Sequence, residues 1–232
     1  MNRLSFLIAR LTGDETALER LSDSPATLAG ELIGKQVALI GNARSLSTTH
    51  HGLAIDAADL VIRMNGAPIP SHNSHGSRTD WLAVSMPPKA ALLTARTPAR
   101  VLWMTRKRKR LPYVLTRRPG FYLNRRDEAK ALAEHLGAPP TTGLMLIDLL
   151  ARSPAAGVSL YGFDFFASLS LSGSRTAAQV PHDFVAERSF VESLLARDPR
   201  FHLIVAACCE SGLYATPPGN AHNPLSPQTP LR

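Results

Sequence analysis

Residues 37–65 read VALIGNARSLSTTHHGLAIDAADLVIRMN: an apolar run closed by a polar turn, a spacer, and a second apolar run closed by a second polar turn. The runs 37–40 and 60–62 are short, continuous and rich in Val, Leu and Ile, the texture of strands buried on both faces. Similar runs recur at 81–84, 101–104, 158–161 and 203–206. Between them, Leu146, Leu149 and Leu150 mark a helix over 142–152, and Phe184, Val191, Leu194 and Leu195 mark another over 183–196. Alternation of this kind predicts an α/β fold, a doubly wound and mostly parallel sheet of about seven strands flanked by helices.

Outward from this centre the texture changes. Residues 1–34 read as an opening helical segment, with Leu4, Leu7, Ile8, Leu11, Leu18 and Leu21 at helical spacing and breaks near Gly13 and Pro25, expected to pack on the domain. Residues 35–214 form the domain proper. Residues 215–232 carry five prolines and read as a flexible tail. The 232 residues, 44% hydrophobic, suffice for a buried core and exclude global disorder. No apolar stretch is long enough for a membrane span or a signal peptide. The two cysteines, Cys208 and Cys209, are adjacent and badly placed to bridge one another, which suits a reducing cytosol. With 26 Lys and Arg against 18 Asp and Glu, the formal charge of +8 points to an anionic partner without choosing among nucleic acid, lipid and nucleotide.

Doubly wound sheets bind ligands at the carboxyl ends of their strands. The turns there are polar: Gly41-Asn42-Ala43-Arg44-Ser45 after the first run, Arg63-Met64-Asn65 after the second, Gly162-Phe163-Asp164 after the fifth, with Gly76 to Asp80 ahead of the third. A single glycine at Gly41 is not the three-glycine dinucleotide fingerprint, and no Walker loop occurs. Amide and hydroxyl groups from Asn42, Ser45, Asn65 and Thr141 suit a ribose and one phosphate; ordinary turn chemistry is the alternative for each residue.

VALIGNARSL, then LVIRMNGAP and SHGSRTDWL, resembles the large sialyl motif of the sialyltransferase family, glycosyltransferase family 29. Pro140-Thr141-Thr142-Gly143 followed by Val158-Ser159-Leu160-Tyr161-Gly162-Phe163 resembles its small motif, and His182-Asp183-Phe184-Val185-Ala186-Glu187 its very small motif. Together they span roughly residues 36–195 in the family's order. The positions matching the disulfide of the animal enzymes are Val37 and about Ala155, so both partners are missing together, as in a cytosolic, bacterial-type relative. The family's third motif is not recognisable over 168–181, and Asp164-Phe165 replaces its usual residues after Gly-Phe, leaving Asp164 as a ribose contact or a helix start.

The resemblance implies a single-domain variant Rossmann-like (GT-A-like) fold. It implies inverting transfer of sialic acid, or a related nonulosonate, from a CMP-sugar to a glycan or glycolipid hydroxyl, with no metal and no cofactor. His182 matches the base that deprotonates the acceptor; a position at a helix N-terminus favours the neutral imidazole, and a structural hydrogen bond is the alternative role. Asn42, Ser45 and Asn65 match donor contacts. Thr141, Thr142 and Gly143 open a helix whose free N–H groups suit the departing phosphate, and Gly162 allows close approach to cytidine. Glu187, five residues beyond His182, is expected to support the site rather than pair with the base, or to be a solvated carboxylate. No Asp-x-Asp and no metal-ligand spacing occur.

Twelve Lys and Arg, and no acid, lie between Asp80 and Asp127, among them Arg106, Lys107, Arg108, Lys109 and Arg110. This run suits peripheral docking on the anionic inner face of a membrane or on an acidic glycolipid acceptor, or simply a solvated loop. Rival readings are a basic nucleic-acid or anionic-surface binding module, and a CMP-binding relative without transferase activity. Thin aromatic interleaving, with Trp103, Tyr113 and Phe121 nearby, makes nucleic acid the weaker choice.

Overall fold

A computed structural model describes residues 1–164, 171 and 181–205. The chain opens with α1 (Arg3–Thr12), whose first turn is capped by the Asn2 side chain accepting the Ser5 N–H and whose end is turned by Gly13 at φ 74°. Two short helices follow, α2 (Glu15–Glu19), capped by Asp14, and α3 (Pro25–Leu32), which has Ser24 as its cap and proline in its first turn. Among the described residues the strands are β1 (Gln36–Ile40), β2 (Leu60–Met64), β3 (Trp81–Val84), β4 (Arg100–Trp103), β5 (Phe121–Leu123), β6 (Gly157–Tyr161) and β7 (Phe201–Ile204). Helices α4 (Gly52–Asp56), α5 (His72–His75), α6 (Ala90–Arg96), α7 (Arg126–Leu136), α8 (Thr142–Ala151) and α9 (Phe184–Arg197) occupy the connections.

All pairings are parallel and the strand order is β5-β4-β3-β2-β1-β6-β7. Strands β2 to β5 step outward on one side of β1, and β6 then pairs with the other side, Gln36 facing Gly157 and Ile40 facing Tyr161. The order reverses between β1 and β6, which marks the carboxyl ends of these strands as the switch point at whose crevice such sheets bind ligands. This is the expected α/β fold, with a sheet that is wholly parallel.

Side chains alternate between the faces of the sheet, as the strand period of two requires. Val37, Leu39, Ile62, Trp81, Ala83 and Leu102 meet α3, α7, α8 and α9 in one cluster; Leu82, Val84, Val101, Trp103 and Phe121 meet α1 and α2 in a second. Val37 and Ala155 are both buried in the first cluster.

Three expectations need correction. Strand β5 belongs to no run singled out above, because three residues after Gly120 are too few to show a period. Strand β7 covers Phe201–Ile204 rather than 203–206: Phe201 is buried and Ile204 pairs with Tyr161, while Ala206 lies outside the described residues. In α1 the face that packs is Phe6 and Ala9, whereas Leu4, Leu7, Ile8 and Leu11 are exposed. The Phe6 ring lies 5.2 Å from that of Tyr113, and Arg10 donates to the Leu111 carbonyl, and these contacts fix the rotation of the helix. The tail 215–232, both cysteines and almost all of 168–181 also lie outside the described residues. Among the described residues no helix is long and apolar enough to cross a membrane.

Candidate functional site

The loops leaving β1 and β6 come together at two glycines. A Cβ on Gly41 would lie 2.2 Å from the carbonyl oxygen of Gly162, and Gly162 itself has φ +67°. Both positions therefore exclude other residues, one by contact and the other by conformation. The loops are then joined by hydrogen bonds from the Gly41 N–H to the Tyr161 carbonyl (2.7 Å) and from the Ala43 N–H to the Gly162 carbonyl (3.2 Å). Gly162 thus has a structural reason to be glycine, the approach of Gly41, apart from any nucleotide. Phe163 is half-buried between Gly41 and Gly143, close enough that a Cβ on Gly143 would lie 2.9 Å from its ring.

Asn42 leaves β1 with its side-chain amide donating to the Met64 carbonyl at 3.4 Å, so the ends of β1 and β2 are tied at the crevice. Asn65, the residue after β2, has φ 54°, a left-handed conformation that Asn tolerates better than most residues. Its Oδ1 accepts from both the N–H and the hydroxyl of Ser85, each at 3.1 Å. Ser85, just past β3, was not among the candidates; as a lone serine in a turn it carries no motif. Ser45 donates to the Asp164 carboxylate at 3.1 Å, bridging the loops after β1 and β6, and Arg188 of α9 donates to the Asp164 carbonyl at 3.4 Å. Ser45, Asp164 and Arg188, with Gly162 and Phe163, line a cavity of about 330 Å³ floored by Leu46, Val191 and Leu203; Asn42, Asn65 and Thr141 to Gly143 are not part of its lining.

Helix α8 begins at the same edge. Thr141 caps it, its hydroxyl oxygen accepting the Leu144 N–H at 3.1 Å, which leaves the N–H groups of Thr142 and Gly143 outside the cap. Thr141 is in turn held by Glu187 of α9: its N–H donates to Oε1 at 2.6 Å and its hydroxyl to Oε2 at 2.7 Å. Glu187 is only 4% exposed. Burial pushes its carboxyl up to about 7, against the two hydrogen bonds from Thr141, and the nearby Asp183 carboxylate adds to the rise.

His182 stands at the start of α9, partly exposed, with Nδ1 2.7 Å from the carbonyl oxygen of Pro139. A carbonyl only accepts, so Nδ1 carries the proton, and in the neutral ring Nε2 keeps its lone pair. Glu187 does not pair with His182. Instead α9 grips the turn before α8 twice, at Pro139 through His182 and at Thr141 through Glu187. Pro139 acts through its backbone, which is why no side-chain pattern pointed to it.

The residues from Gly76 to Asp80 serve a different end of the sheet. Asp56 accepts from the N–H groups of Ser77 and Arg78 and from the Ser77 hydroxyl, while Arg78 donates to the Ala58 carbonyl and Asp80 accepts from the Val61 N–H. This network ties the amino ends of β2 and β3 and does not face the crevice. Arg63, 1% exposed, donates to the carbonyls of Arg78 and His75; burial lowers its guanidinium to about 10 and the His75 imidazole to about 4.

The basic run also divides. Arg106, Lys107, Lys109 and Arg110 are exposed, but Arg108 is 4% exposed and is not a docking residue. Its guanidinium is consumed by the Glu15 carboxylate and the carbonyls of Thr105 and Asn124, so it pins α2 to the loop after β4. Among the described residues no three His, Cys, Asp or Glu side chains gather as a metal site.

The model of glycosyltransferase family 29 (sialyltransferase) matches residues 4–117. The fold is similar to that of a mammalian sialyltransferase, 17% identical, with 78% of each chain covered and a TM-score of 0.59. A mammalian sialyltransferase in complex with Gal-beta-1-3GalNAc-ortho-nitrophenol is 16% identical, with 87% of this chain and 85% of that one covered and a TM-score of 0.58. A variant of the sialyltransferase CST-II of Campylobacter jejuni, in complex with CMP, is 13% identical, with 74% of this chain and 81% of that one covered and a TM-score of 0.54. No curated protein matches the sequence. The resemblance read from the motifs is matched by the family model over residues 4–117, and the α/β fold is similar to that of solved sialyltransferases.

Proposed function

We propose that this chain is an inverting, metal-independent glycosyltransferase that moves sialic acid, or a related nonulosonate, from a CMP-sugar to a glycan hydroxyl, with His182 as general base. The observation that carries the reading is the hydrogen bond from His182 Nδ1 to the Pro139 carbonyl, which leaves Nε2 as the basic atom beside the start of α8. Complexes of the structural relatives with CMP and with a Gal-GalNAc glycoside support a nucleotide donor and a glycan acceptor.

In this reading Nε2 takes the proton of the acceptor hydroxyl as its oxygen bonds to the anomeric carbon from the face opposite the nucleotide. The bond to the CMP phosphate breaks through an oxocarbenium-like transition state. Charge gathers on the leaving phosphate, where the N–H groups of Thr142 and Gly143 and the amides of Asn42 and Asn65 supply donors fixed in advance. Glu187 acts on Thr141 rather than on substrate: it sets the angle of the helix end that receives the phosphate. Ser45 and Asp164 support the ribose side of the crevice. The enzyme is taken to be cytosolic.

Calorimetric titration with CMP, UMP and GMP, without metal and then with magnesium, tests the donor half; selective binding of CMP in both conditions is expected. His182→Ala is expected to keep CMP affinity and to lose transfer from CMP-sialic acid by at least about 100-fold. Full turnover in that variant would remove His182 from the mechanism. Selective CMP binding with no transfer to any glycan would favour a relative that has lost the reaction.

A further inference from the structure

Helix α1 faces solvent with the wrong residues for a solvated helix. Leu4, Leu7, Ile8 and Leu11, at the i, i+3, i+4, i+7 spacing of a single stripe, are 67%, 39%, 55% and 57% exposed. The opposite face, Phe6 and Ala9, is seated in the core beside Leu18, Trp103 and Leu111, and the Met1 carbonyl accepts from the Tyr113 hydroxyl, so the helix is held with its stripe outward. Scattered exposed leucines need no explanation; four in one line on an anchored helix do.

Directly beside the stripe lies a cationic hollow of about 470 Å³, lined by Leu11, Thr12 and Gly13 of the α1 end, by Arg10 and Arg126, and by residues 106–110. Among the described residues no carboxylate lines it. Of the acids next to it in sequence, Glu15 is engaged with Arg108 and Arg126, Asp14 caps α2, and Asp127 pairs with Arg125. Arg106, Lys107 and Lys109 are exposed and make no ion pair among the described residues, and Arg3 adds a further exposed cation on α1.

We infer that α1 and the segment 106–110 together form a docking surface for an anionic phospholipid leaflet, with the leucine stripe entering the headgroup boundary and the cations meeting lipid phosphates. The two features specify the same occupant. An interfacial helix is an apolar face flanked by Lys and Arg, and cations on long stems can stay with the phosphates while the apolar side chains enter. Nucleic acid would satisfy the cations and leave the stripe in water. A second copy apposed through this face would cover the stripe but bring the same unneutralised cations together. Because residues 106–110 follow β4 at its carboxyl end, the docked surface lies on the sheet edge that carries the crevice. The inference uses no residue of the nucleotide site, so its outcome is independent of the transferase reading.

The test is co-sedimentation of the full chain with vesicles of phosphatidylcholine alone and of phosphatidylcholine with an equal part of phosphatidylglycerol. Binding to the anionic vesicles only is expected. Ile8→Ser/Leu11→Ser should abolish it with an unchanged melting temperature, since both side chains are exposed. Arg106→Gln/Lys107→Gln/Lys109→Gln should weaken it about 100-fold, from roughly fivefold per cation at an anionic surface. Excess inorganic phosphate at matched ionic strength should not compete, which separates a leaflet from a free-phosphate site. Sedimentation unaffected by Ile8→Ser/Leu11→Ser would overturn the inference. So would a dimer that this variant converts to a monomer, because the stripe would then be covered by a second copy. Binding to duplex DNA that depends on the cations and ignores the stripe, without vesicle binding, would assign the surface to nucleic acid.

Discussion

Replacing Glu187 by glutamine should change how the stability of this protein depends on pH, and in a direction opposite to ordinary acid denaturation. The folded carboxyl sits at about 7 against an ordinary value of 4.5, so folding takes up a proton at this site between those values. A group raised in this way stabilises the fold fully below pH 4.5 and loses that contribution as pH rises through 7. Between pH 5 and pH 8 the loss comes to about 2.5 kcal/mol at 1.36 kcal/mol per unit, or roughly 5–10 °C in melting temperature for a chain of this size. Other carboxylates run the other way: hydrogen bonds from Arg100 hold Glu31 low, and hydrogen bonds from Ser77 and Arg78 hold Asp56 low against its burial. The contribution of Glu187 must therefore be read as a difference between two proteins. Glu187→Gln keeps an acceptor for the Thr141 N–H and a polar partner for its hydroxyl while removing the titration. Thermal melts of wild type and variant at pH 5 and pH 8 should show the variant gaining about 2.5 kcal/mol on wild type across the interval. Melting curves that shift in parallel would show that Glu187 is ionised throughout, and the burial argument would fail. Glu187→Ala, which also removes the titration, is expected to lose about 2–4 kcal/mol at pH 5, because the N–H and hydroxyl of Thr141 lose their partners, and about 2.5 kcal/mol less than that at pH 8.

The crevice makes two further predictions. Gly41→Ala sets a methyl group against the Gly162 carbonyl, backbone against backbone, and should cost about 3 kcal/mol or more with a matching loss of CMP affinity; an unchanged melt would refute the close approach. Asn65→Gly keeps the left-handed turn and drops only the side chain, whereas Asn65→Ala loses both, so Ala should melt below Gly by about 1 kcal/mol while both lose CMP binding; equal stabilities would show that φ 54° is not strained.

The sequence alone determined the α/β class and the strand runs, because a strand buried on both faces must be continuously apolar and its turns must be polar, and that texture survives without any partner in view. It also carried the motif residues, since Asn42, Thr141, His182 and Glu187 are read as residue types in order. It did not determine which way a surface is used. Leu4, Leu7, Ile8 and Leu11 have the spacing of a packed face, and only the docking of Phe6 against Tyr113 turns them to solvent. Arg108 is indistinguishable from its neighbours in a basic run, yet Glu15, distant in sequence, takes it into the interior. Backbone partners are invisible for the same reason: the Pro139 carbonyl that fixes the tautomer of His182 and the Gly162 carbonyl that makes Gly41 obligatory are chemistry that every residue possesses. Residue type fixes what a group is able to do, and the tertiary structure decides what it meets, because hydrogen bonds and burial are set by distances between segments that the order of residues does not contain.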